Sequence, residues 1–331
     1  MLNELPGTAR IETRHTPQNG GVIRTDVPQL DKAPRGRFIS IANMKGGVGK
    51  TTTVVSLAET IAARDLSTAV LVVDIDPQAS ASLCLAGDDG LAELIEDGKT
   101  LQDFLEARIV HKKRNPISDY IFEECLFTTH AGKRLNISIL PCGPELRLLE
   151  RQIIYEFTKG GFGLNAIEGQ LWKIFQADLV PLRTKFDFVI FDCPPGISPF
   201  SEVAIRGSDM VIVPTIPDRI SIYGLNAFCS RGWQCGTSTL PEPPRPHVLI
   251  TRMQENVRQH QIGIKSLERE AEESDSAFSL FKTRIPQSAP LASALVNDQV
   301  MPFTKKYSLP VAQLLDRLAG EVAGLADADR R

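Results

Sequence analysis

The sequence predicts an α/β protein: a doubly wound, mostly parallel sheet with helices on both faces. Three observations carry this. The apolar run Phe38-Ile39-Ser40-Ile41-Ala42 leads into Met44-Lys45-Gly46-Gly47-Val48-Gly49-Lys50-Thr51-Thr52, after which residues 53–62 show apolar positions at helical spacing. The unbroken run Ala69-Val70-Leu71-Val72-Val73 ends in Asp74 and Asp76, and Phe188-Val189-Ile190-Phe191 ends in Asp192. Apolar runs that close on carboxylates suit central parallel strands, whose C-terminal ends meet a ligand.

Taken in order, residues 1–36 carry Pro6, Pro17, Pro28 and Pro34, mixed charge and little apolar periodicity. They predict a flexible N-terminal arm ahead of one domain over 37–331. Arg10, Arg14, Arg24, Lys32, Arg35 and Arg37 would suit a DNA- or partner-binding tail, but Glu4, Glu12, Asp26 and Asp31 nearly cancel them. Residues 101–105 read as a short helix. The basic run 108–114 reads as a solvated helix end and loop, with a DNA or partner contact as the alternative. Residues 136–141 read as a strand, and residues 145–150 open a helix. Gly160-Gly161-Phe162-Gly163 is a turn between helices, since no strand precedes it and no Lys-Thr follows. Buried strands are expected at 210–215 and 247–252, joined through the rigid, proline-rich connection 241–246. The chain closes on an amphipathic helix with Val311, Leu314, Leu315, Leu318 and Val322 on one stripe.

Composition narrows the classes. The chain has 331 residues, 42% hydrophobic and 23% charged, with a formal net charge of -3. That suffices for a substantial core and argues against a protein coated for nucleic acid, while leaving room for a local basic patch. No apolar stretch is long enough to span a membrane, and the N-terminus has no signal-peptide pattern. Cytoplasmic localisation is expected. The six cysteines show no C-x-x-C spacing, so reduced thiols are expected and no metal site beyond a nucleotide-bound Mg²⁺.

The glycine-rich stretch is read as a phosphate loop. Gly46, Gly47 and Gly49 let backbone N–H groups turn toward phosphate oxygens, and the helix N-terminus adds partial positive charge. Lys50 reaches the β/γ-phosphates, and the Thr51 hydroxyl, beside Thr52, suits Mg²⁺. The strict pattern wants glycine where Met44 stands; the chain instead carries a second lysine, Lys45, inside the loop.

This combination resembles the deviant Walker A P-loop ATPases, the family of ParA partition proteins and MinD, most closely its ParA-like members. The resemblance implies ATP and Mg²⁺ as cofactors and an ATP-dependent homodimer in which Lys45 reaches the partner's phosphates. It implies that Asp-x-Asp-Pro-Gln at 74–78 is switch I, with Asp76 orienting the attacking water and Asp74 supporting the Mg²⁺ shell. Asp192 becomes the Walker B aspartate, meeting Mg²⁺ through water, and Cys193-Pro194-Pro195-Gly196 becomes switch II. Arg252 and Pro286 carry over as adenine contacts.

Three functions share such a core. Membrane recruitment of the MinD kind needs a cationic terminal helix, yet Asp316, Glu321, Asp327 and Asp329 offset Arg317, Arg330 and Arg331. A cluster bridged across the dimer lacks cysteine pairs. Partition remains: non-specific DNA binding, with hydrolysis stimulated by a ParB-like or other adaptor and no membrane. Low aromatic content (6%) fits phosphate contact better than base stacking. Gln287 and Pro290 stand where partition relatives commonly place arginine, so Lys282, Arg284, Lys305 and Lys306, with Arg258, are the expected DNA contacts. Positioning of a protein cargo or a conjugative element is the alternative.

Overall fold

The structure is a computed structural model and describes residues 36–123, 125, 127–161, 163–231, 240–295 and 299–328. Of the expected flexible arm, residues 1–36, all but Gly36 lie outside the described residues. Gly36 opens the described chain and donates its N–H to the Arg183 carbonyl at 3.0 Å. A Cβ there would lie 2.2 Å from the Phe186 carbonyl oxygen, so only glycine lets the chain enter so close to the sheet.

The first half runs β1 (Arg37–Asn43), α1 (Lys50–Arg64), β2 (Val70–Asp74), α2 (Ser80–Glu96), α3 (Leu101–Leu105), β3 (Thr128–His130), β4 (Lys133–Arg134), β5 (Ile137–Leu140), α4 (Leu146–Lys159) and α5 (Leu164–Ile174). The second runs β6 (Phe188–Pro195), α6 (Pro199–Gly207), β7 (Met210–Thr215), α7 (Arg219–Arg231), β8 (His247–Ile250), α8 (Arg258–Glu272), β9 (Ser279–Leu280), α9 (Ala289–Ser293), β10 (Met301–Pro302), α10 (Phe303–Tyr307) and α11 (Leu309–Ala328). Seven strands form one sheet in the order β5-β2-β6-β1-β7-β8-β9, every pair parallel. The strand order reverses around β1, whose neighbours are β6 and β7. In doubly wound sheets the ligand crevice opens at that switch, beyond the strand C-termini.

Each central strand is buried because each feeds two cores. Phe38, Leu71, Val73, Val189 and Phe191 pack on one side with Leu149 of α4, Ile205 of α6 and Leu225 of α7. Ile39, Ile41, Val70, Val72 and Ile190 pack on the other with Leu57 of α1 and Leu315, Leu318 and Val322 of α11. Burying one such side chain is worth roughly 1.5–3 kcal/mol, and the alternation along β1 and β2 holds the sheet between two helical layers. The terminal helix therefore turns its stripe onto the core, with Val311 and Leu314 only partly covered.

The middle of the chain holds more than its sequence suggested. The helix at 101–105 starts on a capping box, Thr100 and Asp103 exchanging hydrogen bonds. A second, small sheet of order β10-β3-β4 had no sequence signature, because strands of two and three residues carry no readable period.

Candidate nucleotide site

The loop between β1 and α1 is held from three directions. The Asn43 side chain accepts from the Lys45 N–H at 2.9 Å and donates to the Pro214 carbonyl at 2.7 Å, tying the loop to β7. Thr251 Oγ1 donates to the Val48 carbonyl at 2.7 Å, and the Arg252 guanidinium donates to the Gly47 carbonyl at 2.7 Å. Gly47 and Gly49 have φ values of 74° and 90°, left-handed conformations in which a Cβ would be strained. With carbonyls braced from behind, the N–H groups at the α1 N-terminus can turn toward an anion.

Lys50 is buried, and its Nζ donates to the Lys45 carbonyl at 3.3 Å. Burial lowers its pKa, opposed by the negative charges of Asp192 and Asp76. Thr51 Oγ1 donates to Asp192 Oδ2 at 2.8 Å, while Asp192 Oδ1, fully buried, has no hydrogen-bond partner. Asp192 faces Asp74 across the β2–β6 register. Burial and that neighbouring carboxylate push the Asp192 carboxyl well above the ordinary range, and the Thr51 bond offsets this only in part. A hydroxyl beside a buried carboxylate with an open oxygen is a donor set that fits Mg²⁺, a hard cation taking oxygen ligands and water.

Asp74, the residue expected to support the Mg²⁺ shell, lies fully buried at the end of β2. Its Oδ1 accepts from the Asp76 N–H at 3.0 Å, and its Oδ2 accepts from both the N–H and the hydroxyl of Ser82, at 2.9 and 2.7 Å. Burial still pushes it up to about 6. These bonds make Asp74 an anchor that fastens the β2–α2 loop. Asp76 accepts from the Gln78 N–H at 3.0 Å and lines the cavity in front of the loop.

That cavity, about 740 Å³, runs from Gly46, Lys50 and Thr51 past Arg252 and Pro286 to Ser288, Leu291 and Leu315. One end is cationic and rich in N–H groups, the other apolar. Lys50, Thr51, Asp76, Arg252 and Pro286 thus share one cleft. Arg252 contacts the loop itself, in a left-handed conformation (φ 50°).

Lys45 turns the other way. Its Nζ donates to Ser221 Oγ at 2.7 Å and lies 3.5 Å from Asp218 Oδ2, at the start of α7. Burial raises the Asp218 pKa, but hydrogen bonds from Ser221 and the charge of Lys45 outweigh it and hold the carboxyl below its ordinary value. Sequence reasoning missed Asn43, Ser82, Asp218, Ser221 and Thr251; none lies in a motif, and all but Ser82, eight positions from Asp74, act through a contact distant in the chain.

The expected DNA contacts divide. Lys282 and Lys305 are exposed. Arg284 is paired with Glu268. Lys306 is 6% exposed and ion-paired with buried Glu59 at 2.6 Å. In α10 the apolar Phe303 and Tyr307 face inward, and residue 306, one turn from Phe303, follows them. Among the described residues, no helix is long and apolar enough to cross a membrane, and no cluster of three metal-capable side chains occurs.

The sequence profile of the AAA domain matches residues 36–234. The chromosome partitioning protein ParA of Myxococcus xanthus is 28% identical over 191 residues, covering 58% of this chain and 56% of that protein. The chain thus spans little more than half of that relative. Among solved structures, pNOB8 ParA bound to nonspecific DNA aligns with a TM-score of 0.64 at 18% identity, over 89% of this chain and 99% of that one. Cobyrinic acid a,c-diamide synthase from Mycobacterium smegmatis, with an ATP analog and magnesium bound, aligns with a TM-score of 0.59 at 20% identity, over 87% and 94%. Proteins of different activity share this fold, so the fold by itself does not select a function.

Proposed function

This chain belongs to the AAA domain family, and from that premise we propose that it is a ParA-like ATPase that hydrolyses ATP, dimerises with nucleotide and positions DNA or another cargo. The observation that carries the proposal is the opposed orientation of the two loop lysines. Lys50 lies inside the pocket beside Asp192 and Asp76, while Lys45 is held outward on α7. One cation serves the chain's own nucleotide, and the other is available to a second copy's.

In this reading the loop N–H groups and Lys50 bind the phosphates, and the apolar end of the cleft takes the base. Thr51 and Asp192 would hold Mg²⁺, which would supply positive charge beside the transferred phosphoryl group. Asp76, anchored through Asp74 and Ser82, accepts a hydrogen bond from the attacking water and orients it. Lys45 of a second copy adds charge at the phosphoryl group, as an arginine finger does, so hydrolysis waits for dimerisation. A ParB-like or other adaptor would set its rate. Nucleoid-associated, cytoplasmic localisation follows if the dimer binds DNA without sequence preference; positioning of a protein or conjugative cargo is the second reading, favoured by the pairing of Arg284 and the burial of Lys306.

The test uses two variants. Lys50→Ala should weaken ATP binding roughly 10- to 100-fold, the worth of a charge-assisted hydrogen bond. Asp76→Ala should bind ATP, turn it over poorly and accumulate as a dimer in light scattering. An Asp76→Ala protein that hydrolyses ATP like the parent, or stays monomeric with ATP, would overturn the mechanism.

A further inference from the structure

The apolar end of the nucleotide cleft is built where two chain segments leave the sheet side by side. The Ile285 N–H donates to the Ile250 carbonyl at 2.8 Å, and the Met253 N–H to the Ile285 carbonyl at 3.1 Å. The Gln287 N–H donates back to the Met253 carbonyl at 2.9 Å, and Met253 and Pro286 form a parallel bridge. This ladder fixes the backbone at Gln287, which lines the cleft beside Pro286. In the sequence Gln287 stood out only as a position without the expected arginine.

Four other polar side chains that line the cleft are turned to the fold. Thr53 and Ser56 donate to the carbonyls of Gly49 and Thr52, at 2.8 and 2.6 Å. Arg252 donates to the Gly47 carbonyl, and Ser288 Oγ accepts from the Leu291 N–H at the start of α9. Gln287 differs. Its Oε1 accepts from Nε2 of Gln254, a residue that does not itself line the cleft. Gln254 is held in turn by its backbone N–H, which donates to His260 Nδ1 at 3.0 Å. A primary amide offers an oxygen acceptor and two N–H donors. With the oxygen taken by Gln254, Nε2 is the end left for a ligand, and among the described residues it donates to nothing.

We infer that Gln287, oriented by Gln254, selects adenine over guanine. The inference rests on the nucleotide-site reading above and names the base that the site accepts. On the edge away from the sugar, adenine carries an acceptor, N1, where guanine carries N1–H beside a 2-amino group. A fixed N–H donor pairs with the first and opposes the second. N7 is an acceptor in both bases and gives no such choice. The discrimination is sharpened by Leu291, Leu295 and Leu315, because a polar group facing the wrong partner there has little water to turn to. Gln254 is a positioning residue: it stops the Gln287 amide from turning its oxygen toward the base.

The experiment measures binding of non-hydrolysable ATP and GTP analogues, with Mg²⁺, to the full chain by calorimetry. Inorganic tripolyphosphate serves beside them as a probe of the phosphate loop alone. Gln254 and Gln287 are exposed, so substitutions there leave the core intact. Gln287→Glu replaces the donor with a carboxylate, which accepts from guanine's N1–H and 2-amino group. It should bind the ATP analogue roughly 3- to 10-fold more weakly and the GTP analogue more tightly by a similar factor, as one hydrogen bond each way implies. Gln254→Leu should bring the two affinities together, since the amide is then free to turn. Tripolyphosphate affinity should be unchanged in both variants. If Gln287→Glu keeps the parent's ratio of ATP to GTP affinity, or loses both equally, Gln287 does not select the base, while the nucleotide site stands. A ratio that shifts in Gln287→Glu but not in Gln254→Leu would overturn the orienting role of Gln254. A parent that binds neither analogue nor tripolyphosphate overturns the nucleotide-site reading and this inference with it.

Discussion

Two buried carboxylates, both reached from α1, have opposite surroundings. Glu59 is 2% exposed and saturated: Thr128, Lys306 and Tyr307 occupy its two oxygens. Asp192 is fully buried, takes one bond from Thr51, and keeps Oδ1 unpartnered beside a second carboxylate. A buried charge that the protein satisfies by itself belongs to the fold. One left with an open oxygen, at a cost in stability, is reserved for a ligand. The same helix carries architecture at its middle and chemistry at its start.

The largest effect is expected at the saturated site. Glu59→Leu strands the Lys306 ammonium and two hydroxyls in the core, and breaking a buried pair in this way costs about 3–5 kcal/mol. Adding Lys306→Met should recover part of the loss, because the stranded charge goes with it. Urea melts of the parent, the single and the double variant decide this. A double variant less stable than the single one would contradict the picture of Glu59 as a self-satisfied ion pair.

At the open site the sign reverses. A carboxyl whose folded pKa lies above its unfolded value holds more protons when folded, so stability falls as pH rises across that interval. Asp74 sits at about 6 and Asp192 is raised well above its ordinary value, so without nucleotide both weaken the protein as they ionise. Asp192→Asn removes one of these charges. Its nucleotide-free melting temperature should exceed the parent's, by a margin that widens as pH rises above the ordinary carboxylate range, while Mg²⁺-ATP no longer stabilises it. Melting curves from pH 5 to about 8, with and without Mg²⁺-ATP, test both halves.

The smallest effect on stability belongs to the intermediate case, the partly exposed Lys45–Asp218 pair. Asp218→Ala should change stability by less than about 1 kcal/mol, as exposed pairs do. It should, however, release Lys45, so that ATP-dependent dimers form at lower protein concentration, while Lys45→Ala should abolish dimer-dependent hydrolysis. Sedimentation with ATP separates the two. Unchanged dimerisation in Asp218→Ala would mean that the contact does not restrain Lys45.

Much of the nucleotide site could be read from the chain because its parts are contiguous. Strand, glycine loop and helix at 38–62 present apolar periods and backbone-permissive residues within a few positions of one another, and Asp76 and Asp192 each close an apolar run. The family resemblance rests on the same residues. What it could not supply was each group's environment. Asp74 stands in the motif like Asp76, yet its oxygens are claimed by Ser82 and the Asp76 N–H. Arg284 and Lys306 look, as sequence, no different from the exposed Lys282 and Lys305.

By itself, then, the sequence determined the doubly wound sheet, the phosphate loop with its two lysines, and the carboxylates at the strand ends, since hydrophobic periodicity and turn chemistry act over a few residues. Tertiary structure decided which charges remain available. Lys306 lies 247 positions from Glu59, and Lys45 lies 176 from Ser221. Whether a cation is buried in an ion pair, held on a neighbouring helix or open to a phosphate depends on which partner the folded chain brings within about 3 Å of it, and no local pattern encodes a partner so remote.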